Sequence, residues 1–188
     1  MNATTNRTGF SLIELIMIML LVGIMAGIAA PQLRPEKFQL DATAVLLASS
    51  VNAQQRAAVL RQHNVVIAFD TILFRLRVHY DANNDNVIDS DESWHVVQLD
   101  DNVRFSLGGA TARALGSTAI SVTGEQTDLP ALTFRRNGSA SEESIIYVTS
   151  IKSQNENSGT DTRAVEIARA TGRTHCFSFA SGAWVQTC

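Results

Sequence analysis

Five side chains that could bind a cation recur within one twelve-residue stretch of this chain. They fall at positions 1, 3, 5, 9 and 12 of the stretch and are Asp81, Asn83, Asp85, Asp89 and Glu92. Oxygen ligands at this spacing are those of an EF-hand calcium loop, in which the backbone carbonyl of position 7 also binds the ion. Val87 would supply that carbonyl here. The stretch therefore predicts a candidate Ca²⁺ site.

A second interpretation of the same stretch needs no metal. Position 6 of an EF-hand loop is glycine, whereas this chain has Asn86, although asparagine enters the left-handed conformation more readily than most residues. The flanking segments have the alternation of strands rather than the period of helices. An Asx-rich connection between two strands accounts for the same residues. With Asp91, the stretch contains five carboxylates, which would repel one another without a cation. Both interpretations therefore stay open.

Catalytic motifs are absent from the sequence. It contains no Gly-x-Ser-x-Gly segment, no phosphate-binding glycine loop and no His-Glu-x-x-His segment. Of its four histidines, only His79 and His95 lie on predicted strands either side of the acidic stretch, where they could meet. The two cysteines are too far apart for a redox Cys-x-x-Cys pair. We predict that the chain is not an enzyme and requires no cofactor, with Ca²⁺ as the one candidate ligand.

An apolar run dominates the N-terminal part of the chain. From Phe10 to Ala30 the run has 21 residues, with Glu14 as its single charge. As a helix this run would be about 31 Å long, enough for the hydrocarbon core of a bilayer. A secretory signal peptide would have a shorter core, and an ordinary anchor would not need Glu14. The run predicts one membrane-spanning helix.

The start of this run also carries a family resemblance. Residues Gly9 to Glu14 read Gly-Phe-Ser-Leu-Ile-Glu and follow a short leader in which Arg7 is the only charged side chain. The segment resembles the class III leader and first helix of type IV pilins and type II secretion pseudopilins. The resemblance implies that a prepilin peptidase cuts between Gly9 and Phe10 and methylates the new Phe10 amine. It further implies that Glu14 neutralises the N-terminal amine of a neighbouring pilin or pseudopilin subunit. With the apolar run, the resemblance implies a single-pass inner-membrane protein whose C-terminal domain lies in the periplasm and which becomes filament-associated after assembly.

Weaker downstream segments narrow the resemblance to one branch of minor pilins. They are an Ala- and Gln-rich helix, an Asp/Asn-rich turn, a strand containing Trp94, and the segments 132–139 and 170–176. These resemble the branch that includes the type II secretion H pseudopilin and the minor pilins FimT and FimU. The resemblance implies a minor pilin of a type IV pilus, with an H-type pseudopilin of the type II secretion system as the alternative.

A third function enters through the same resemblance, since some FimT-like proteins bind DNA through a terminal Gly-Arg-x-Arg strand. Arg173 matches the first arginine of that strand, whereas His175 stands in place of the second. Affinity for DNA depends on how many phosphates basic groups neutralise, and the net charge of −3 does not favour it. The sequence favours solvated arginines and leaves nucleic acid as an alternative partner through Arg173, with Arg169, Arg135 or Arg136 beside it.

Periodicity predicts an α+β fold with a long N-terminal helix packed on an antiparallel sheet. The predicted layout of the 188 residues is a leader at 1–9, a transmembrane helix at 10–30, the periplasmic half of the first helix at 31–63, and a β-rich pilin-like domain at 64–188. Pro31 and Pro35 mark a kink in the helix. Its second half has an apolar stripe, whose members are Leu40, Ala44, Leu47, Val51 and Ala58. Loops are predicted at 108–116 and 153–162, the latter as a candidate for disorder.

The two cysteines predict one disulfide near the C terminus. Cys176 and Cys188 end two predicted strands that are joined by a three-residue loop, Ser181 to Ala183. Counting outward from Gly182 places the two cysteines opposite each other at the open end of the hairpin. An exported domain meets an oxidising compartment, which allows the bond to form. Two free thiols are the alternative.

Overall fold

The computed structural model describes residues 11–29, 35–113 and 115–188. The chain divides into two compact units, residues 1–35 and 36–188. In the first unit the described residues form one helix, α1 (Leu12–Ala29), with Glu14 in its first turn. Every large apolar side chain from Leu12 to Met25 is exposed, so none of them is covered by other described residues. The cleavage and methylation positions, Gly9 and Phe10, lie outside the described residues.

The predicted single-pass inner-membrane localisation is wrong. In the described ranges 11–29, 35–113 and 115–188, we find no helix whose length and apolar character would let it cross a bilayer. The α1 helix has 18 residues. At a rise of about 1.5 Å per residue it spans about 27 Å, which is less than the hydrocarbon core of about 30 Å.

The predicted single long helix is not confirmed. The second unit starts instead with a separate helix, α2 (Pro35–Arg61), and residues 30–34, which include Pro31, lie outside the described residues. Proline suits the first position of a helix because its missing N–H has no partner there in any case. The helix ends at Arg61 because Gln62 adopts a left-handed conformation, with a φ of 61°. Apolar residues predicted to face the core all do so, and they are Leu40, Ala44, Leu47, Val51 and Ala58.

In the described part of the second unit, ten strands and one short helix follow α2. They are β1 (Asn64–Asp70), β2 (Arg75–Asp81), β3 (Trp94–Gln98), β4 (Val103–Phe105), β5 (Glu125–Gln126), β6 (Leu129–Phe134), β7 (Ser144–Ser150), α3 (Ile151–Glu156), β8 (Arg163–Ile167), β9 (Thr174–Ala180) and β10 (Ala183–Gln186). All the strand pairings are antiparallel. The α+β class with antiparallel strands is confirmed.

The strands form two sheets, where the sequence predicted one. The first has the order β3-β2-β1-β6-β5 and the second the order β10-β9-β8-β7-β4. Alternate side chains of both sheets, such as Ile67 of β1 and Val165 of β8, join the α2 stripe in one buried cluster. The two inner faces are therefore covered by the same helix. The pattern of side chains along an individual β-strand could not show to which sheet that strand belongs, because strands of both sheets direct alternate side chains into the same core.

Helix α3 (Ile151–Glu156) replaces the first four residues of the loop predicted at 153–162, whereas residues 157–162 are neither helix nor strand. The Ser150 side chain caps this helix by accepting a hydrogen bond of 3.0 Å from the backbone N–H of Ser153. Asn157 ends the helix in a left-handed conformation, and Ser153 is buried. Small polar residues resemble a flexible linker in sequence, but here they cap and pack a helical turn.

Two glycines in left-handed conformations provide a matched test of packing. Gly172 (φ 65°) lies so close to the backbone oxygen of Gly138 that an added Cβ would overlap it, whereas a Cβ on Gly182 (φ 82°) would meet nothing within 4 Å. We expect Gly182→Ala to cost about 1–2 kcal/mol from backbone strain alone. Gly172→Ala should cost about 1–3 kcal/mol more because of the overlap. Urea unfolding midpoints measure both, and equal losses would contradict the close packing of Gly172.

Candidate functional site

The acidic loop between β2 and β3 closes around the carboxylate of Glu92. Oε1 of Glu92 accepts hydrogen bonds from the backbone N–H groups of Ala82 (2.6 Å) and Asn83 (3.4 Å). Oε2 contacts the Nε2 atom of His79 at 2.7 Å and accepts from the N–H of Asp89 at 3.3 Å. A carboxylate that receives several donors is strongly stabilised in its charged form. Glu92 therefore ties the end of the loop to its beginning and to strand β2.

The partner of Glu92 is a buried histidine. The side chains of His79 and Glu92 are 1% and 2% exposed. On the other side of the imidazole ring, the side-chain amide nitrogen of Gln126 lies 2.9 Å from Nδ1 of His79 and also donates to the Asn86 carbonyl at 3.4 Å. With the amide assigned in this way, Nδ1 accepts and Nε2–H donates to Glu92. Both ring nitrogens are engaged and buried, so this histidine holds the loop in place and cannot reach a substrate.

His79 and His95 do not meet, although the sequence allowed it. The pairing of β2 with β3 sets Trp94 opposite His79 and His95 opposite Val78, so the two imidazoles point to opposite faces of the sheet. His95 stacks on Tyr80, with ring centroids 5.6 Å apart. The Glu92–His79–Gln126 chain was missed in the sequence because its members lie 13 and 47 positions from the histidine along the chain.

The other predicted calcium ligands are also occupied by hydrogen bonds. Both carboxylate oxygens of Asp81 accept backbone N–H groups, from Asp85 at 3.1 Å and Asn86 at 3.0 Å. The side-chain amide of Asn83 donates to Asp85 at 2.9 Å and to Asp89 at 3.0 Å. Within the part of the chain that the structure describes, no three His, Cys, Asp or Glu side chains are grouped so that they could hold a metal ion.

Asparagine supplies the backbone conformation that an EF-hand loop takes from glycine. Asn86, at position 6, has a φ of 66°, and Asn84 has a φ of 63°. Asparagine tolerates this left-handed region better than most residues. The loop geometry is therefore accounted for by N–H donors and two left-handed asparagines, and calcium binding at Asp81, Asn83, Asp85, Asp89 and Glu92 stays a prediction.

The C-terminal hairpin carries the disulfide between Cys176 and Cys188, whose Cα atoms are 4.8 Å apart. Its loop has two residues, Ser181 and Gly182, both with positive φ, where the sequence predicted three. The strand register is consequently shifted by one residue, so that Cys176 faces Thr187 by simple counting. Cys188 still reaches Cys176 because its carbonyl accepts the Cys176 N–H at 3.3 Å while the Thr187 N–H donates to the Cys176 carbonyl at 2.8 Å. Two residues thus oppose one, as in a β-bulge.

The arginines considered for DNA lie on two turns that touch. Gly172, beside Arg173, packs against Gly138 in the turn that follows Arg135 and Arg136. Arg135 and Arg169 line one surface depression, which they share with the acidic Glu143. Arg173 is exposed. The structure brings the two turns together, and the acid beside them reduces the positive charge that a phosphate backbone would meet.

Comparisons with known proteins gave one structural neighbour. No protein-family model matches the chain, and no curated protein matches its sequence. The structure is similar to that of EpsH, a minor pseudopilin from the type 2 secretion system of Vibrio cholerae, at 11% sequence identity and a TM-score of 0.48. The match covers 77% of this chain and 99% of that chain.

Glu92 should make folding sensitive to acid. Burial alone would raise the pKa of its carboxyl, but the hydrogen bonds from His79 and from the Asp89, Ala82 and Asn83 N–H groups outweigh it and lower the pKa from 4.5 to about 2. The charged Glu92 therefore stabilises the folded state fully above the unfolded pKa of 4.5, and this stabilisation is lost as the pH falls towards about 2. We expect the melting temperature to fall over this interval, and Glu92→Gln to lower it at neutral pH and to flatten its acid dependence.

A matched control separates this effect from general acid unfolding. Glu156 is an exposed glutamate at the end of α3, and Glu156→Gln should leave the acid dependence as in the parent chain. Some acid dependence of the melting temperature should survive in Glu92→Gln, because the pKa of Asp70 is lowered as well. Burial would raise that pKa, but hydrogen bonds from Leu73, Arg75 and Ile72 outweigh the effect of burial. An acid dependence unchanged by Glu92→Gln would contradict the assignment of Glu92 as the closing residue.

The calcium prediction is tested by melting the same protein in calcium and in chelator. A calcium site formed by Asp81, Asp85, Asp89 and Glu92 would raise the melting temperature, because the ion would bind the folded state preferentially. Asp85→Ala should then remove that increase, while the exposed control Asp128→Ala, outside the loop, should keep it. Identical melting temperatures in calcium and in chelator would leave the hydrogen-bonded hairpin as the whole account of the loop.

Proposed function

We propose that this chain is a structural subunit, a minor pilin of a type IV pilus, incorporated into the filament through its N-terminal helix. The observation that carries the proposal is the α1 helix, on which every large apolar side chain from Leu12 to Met25 is exposed. A helix that is apolar on all sides is stable in water only when other groups cover it. In this proposal, the helices of neighbouring pilin subunits cover it.

The single charge of α1 gives the proposal its specific mechanism. Glu14 lies in the first turn, among apolar neighbours such as Ile13 and Leu15. A carboxylate inside an apolar helix bundle is heavily penalised unless it has a partner of opposite charge. The resemblance of Gly9 to Glu14 to a prepilin leader supplies one. A prepilin peptidase would cut after Gly9, and the methylated amine of Phe10 on an adjacent subunit would pair with Glu14.

An H-type pseudopilin of the type II secretion system is the alternative within the same proposal. The two share the N-terminal helix, the peptidase and the pairing of Glu14, so these three features support both equally. The disulfide between Cys176 and Cys188 favours the minor pilin, because a C-terminal cysteine pair resembles FimT- and FimU-type proteins. Deleting the gene and asking whether piliation or protein secretion fails decides between them. DNA uptake through Arg173 has no comparable support, since Glu143 lies beside the neighbouring Arg135 and Arg169.

The pairing of Glu14 predicts a separation between processing and assembly. Glu14→Val should leave cleavage intact, so that mass spectrometry still finds a mature N terminus at a methylated Phe10. The same variant should be absent from sheared filaments, because the amine of the neighbouring subunit would remain unpaired in the bundle. Glu36→Val, at a glutamate in the first turn of α2, is the matched control and should assemble. Normal incorporation of Glu14→Val would contradict the pairing, and an uncleaved N terminus would contradict the pilin assignment itself.

A further inference from the structure

Strand β3 lies at the edge of the first sheet. Among the residues that the structure describes, it pairs only with β2, so one side of its backbone has no partner there. The hydrogen bonds at its two ends show which groups face the open side. Tyr80 N–H donates to the Ser93 carbonyl at 3.0 Å and Leu99 N–H donates to the Phe74 carbonyl at 3.3 Å. The backbone groups of Ser93 and Leu99 therefore face β2. In an antiparallel ladder, residues whose backbone groups face the partner strand alternate with residues whose groups face away, so the N–H and C=O groups of Trp94, Val96 and Gln98 point outward.

Its side chains do nothing to discourage pairing. The strand reads Trp-His-Val-Val-Gln and contains no Pro, Asp, Glu, Lys or Arg. Trp94 is 55% exposed and Val96 is 37% exposed, both on the same face. An exposed, uncharged edge strand of this kind is a ready template for another strand. Proteins normally protect such an edge unless it is used.

The other three sheet edges in the described residues are protected. Strand β5 has two residues, and its neighbour β6 contains Pro130. Strand β4 has three residues and carries Arg104 in its centre. Strand β10 has four residues and ends in the bulge and disulfide at Cys188. Short length, charge and bulges are the devices that prevent edge-to-edge association. Strand β3, with five residues, lacks all three devices.

Acidic residues flank this open edge at both ends. Asp91 precedes the strand and Asp101 follows it, and both are exposed. Among the described residues neither of them forms a salt bridge. Charges of one sign at the ends of a binding strand favour a partner with the opposite sign at its own ends.

The same acids argue against a second copy of this chain. Antiparallel self-pairing centred on Val96 would place Asp91 opposite Asp101 of the other copy. Parallel in-register pairing would place each aspartate beside its own equivalent. Like charges directly opposite each other destabilise a strand pair.

We propose that β3 is a docking edge for an extended segment of another protein, which adds a strand to the first sheet and carries Lys or Arg at both of its ends. The outward N–H and C=O groups of Trp94, Val96 and Gln98 bind its backbone, and Trp94 and Val96 contact its apolar side chains. Asp91 and Asp101 pair with its basic ends. This role does not depend on the filament function proposed above.

The test uses a fluorescent peptide of Thr and Val in alternation with two Lys at each end, titrated with the full chain in nonionic detergent, since α1 exposes apolar side chains. Binding is measured by fluorescence anisotropy. We expect the lysine-flanked peptide to bind at least about tenfold more tightly than one with Glu at its ends, and raised salt to reduce this difference. Absence of binding by the lysine-flanked peptide, or equal binding of the two, would overturn the proposal.

Variants of the edge itself provide the matched comparison. Val96→Pro removes one outward N–H and leaves the bonds to β2, so it should weaken binding at least about tenfold. Val96→Thr keeps that N–H and the branched shape, and should bind as the parent does. The double variant Asp91→Lys/Asp101→Lys leaves the strand unchanged and should reverse the preference towards the Glu-flanked peptide. Unaltered binding by Val96→Pro, an unreversed preference, or self-association of the parent that Val96→Pro abolishes would each overturn the proposal.

Discussion

The fold of the second unit depends on the apolar stripe of α2, because one helix completes the core of two separate sheets. Leu40, Leu47 and Val51 are fully buried, in the same cluster as side chains from β1 and β8. Full burial of such a side chain contributes about 1.5–3 kcal/mol. Removing the helix would therefore expose apolar side chains of both sheets.

Two buried charges in this unit are each held by hydrogen-bonding partners. Arg163 on β8 is 5% exposed at its side chain and bonds Asp41 of α2 at 2.6 Å, which ties the helix to the second sheet. Glu92 is held by His79 and three backbone N–H groups, which ties the acidic loop to the first sheet. Removing either partner would leave a buried charge without compensation, which costs more than the pair itself contributes. These contacts fix where the helix and the loop sit on sheets that apolar packing alone would hold less specifically.

The two units present different surfaces to possible partners. The α1 helix exposes apolar side chains on all sides and requires a wholly apolar cover. Strand β3 exposes unpaired backbone groups between two acids and suits a single extended strand. A filament subunit needs the first kind of contact with its own class of protein. The second kind is directional and selects by charge, so the two can operate at the same time without competing for one surface.

Local patterns in the sequence determined much of this protein. Neighbouring residues are enough to identify the α2 stripe, the alternation in β2, the pairing of Cys176 with Cys188 and the prepilin-like segment around Glu14, because helix and strand periods are local properties. Tertiary structure decided the rest. The separation into two sheets, the burial of His79 against Glu92 and Gln126, and the open edge of β3 depend on which distant strands pair. The register of the last hairpin depended on Ser181. Its positive φ allows a two-residue turn with Gly182, whereas the sequence predicted a three-residue loop in which Gly182 was the left-handed residue. Pairing energies between distant segments are set by the whole core, and no single window of sequence contains them.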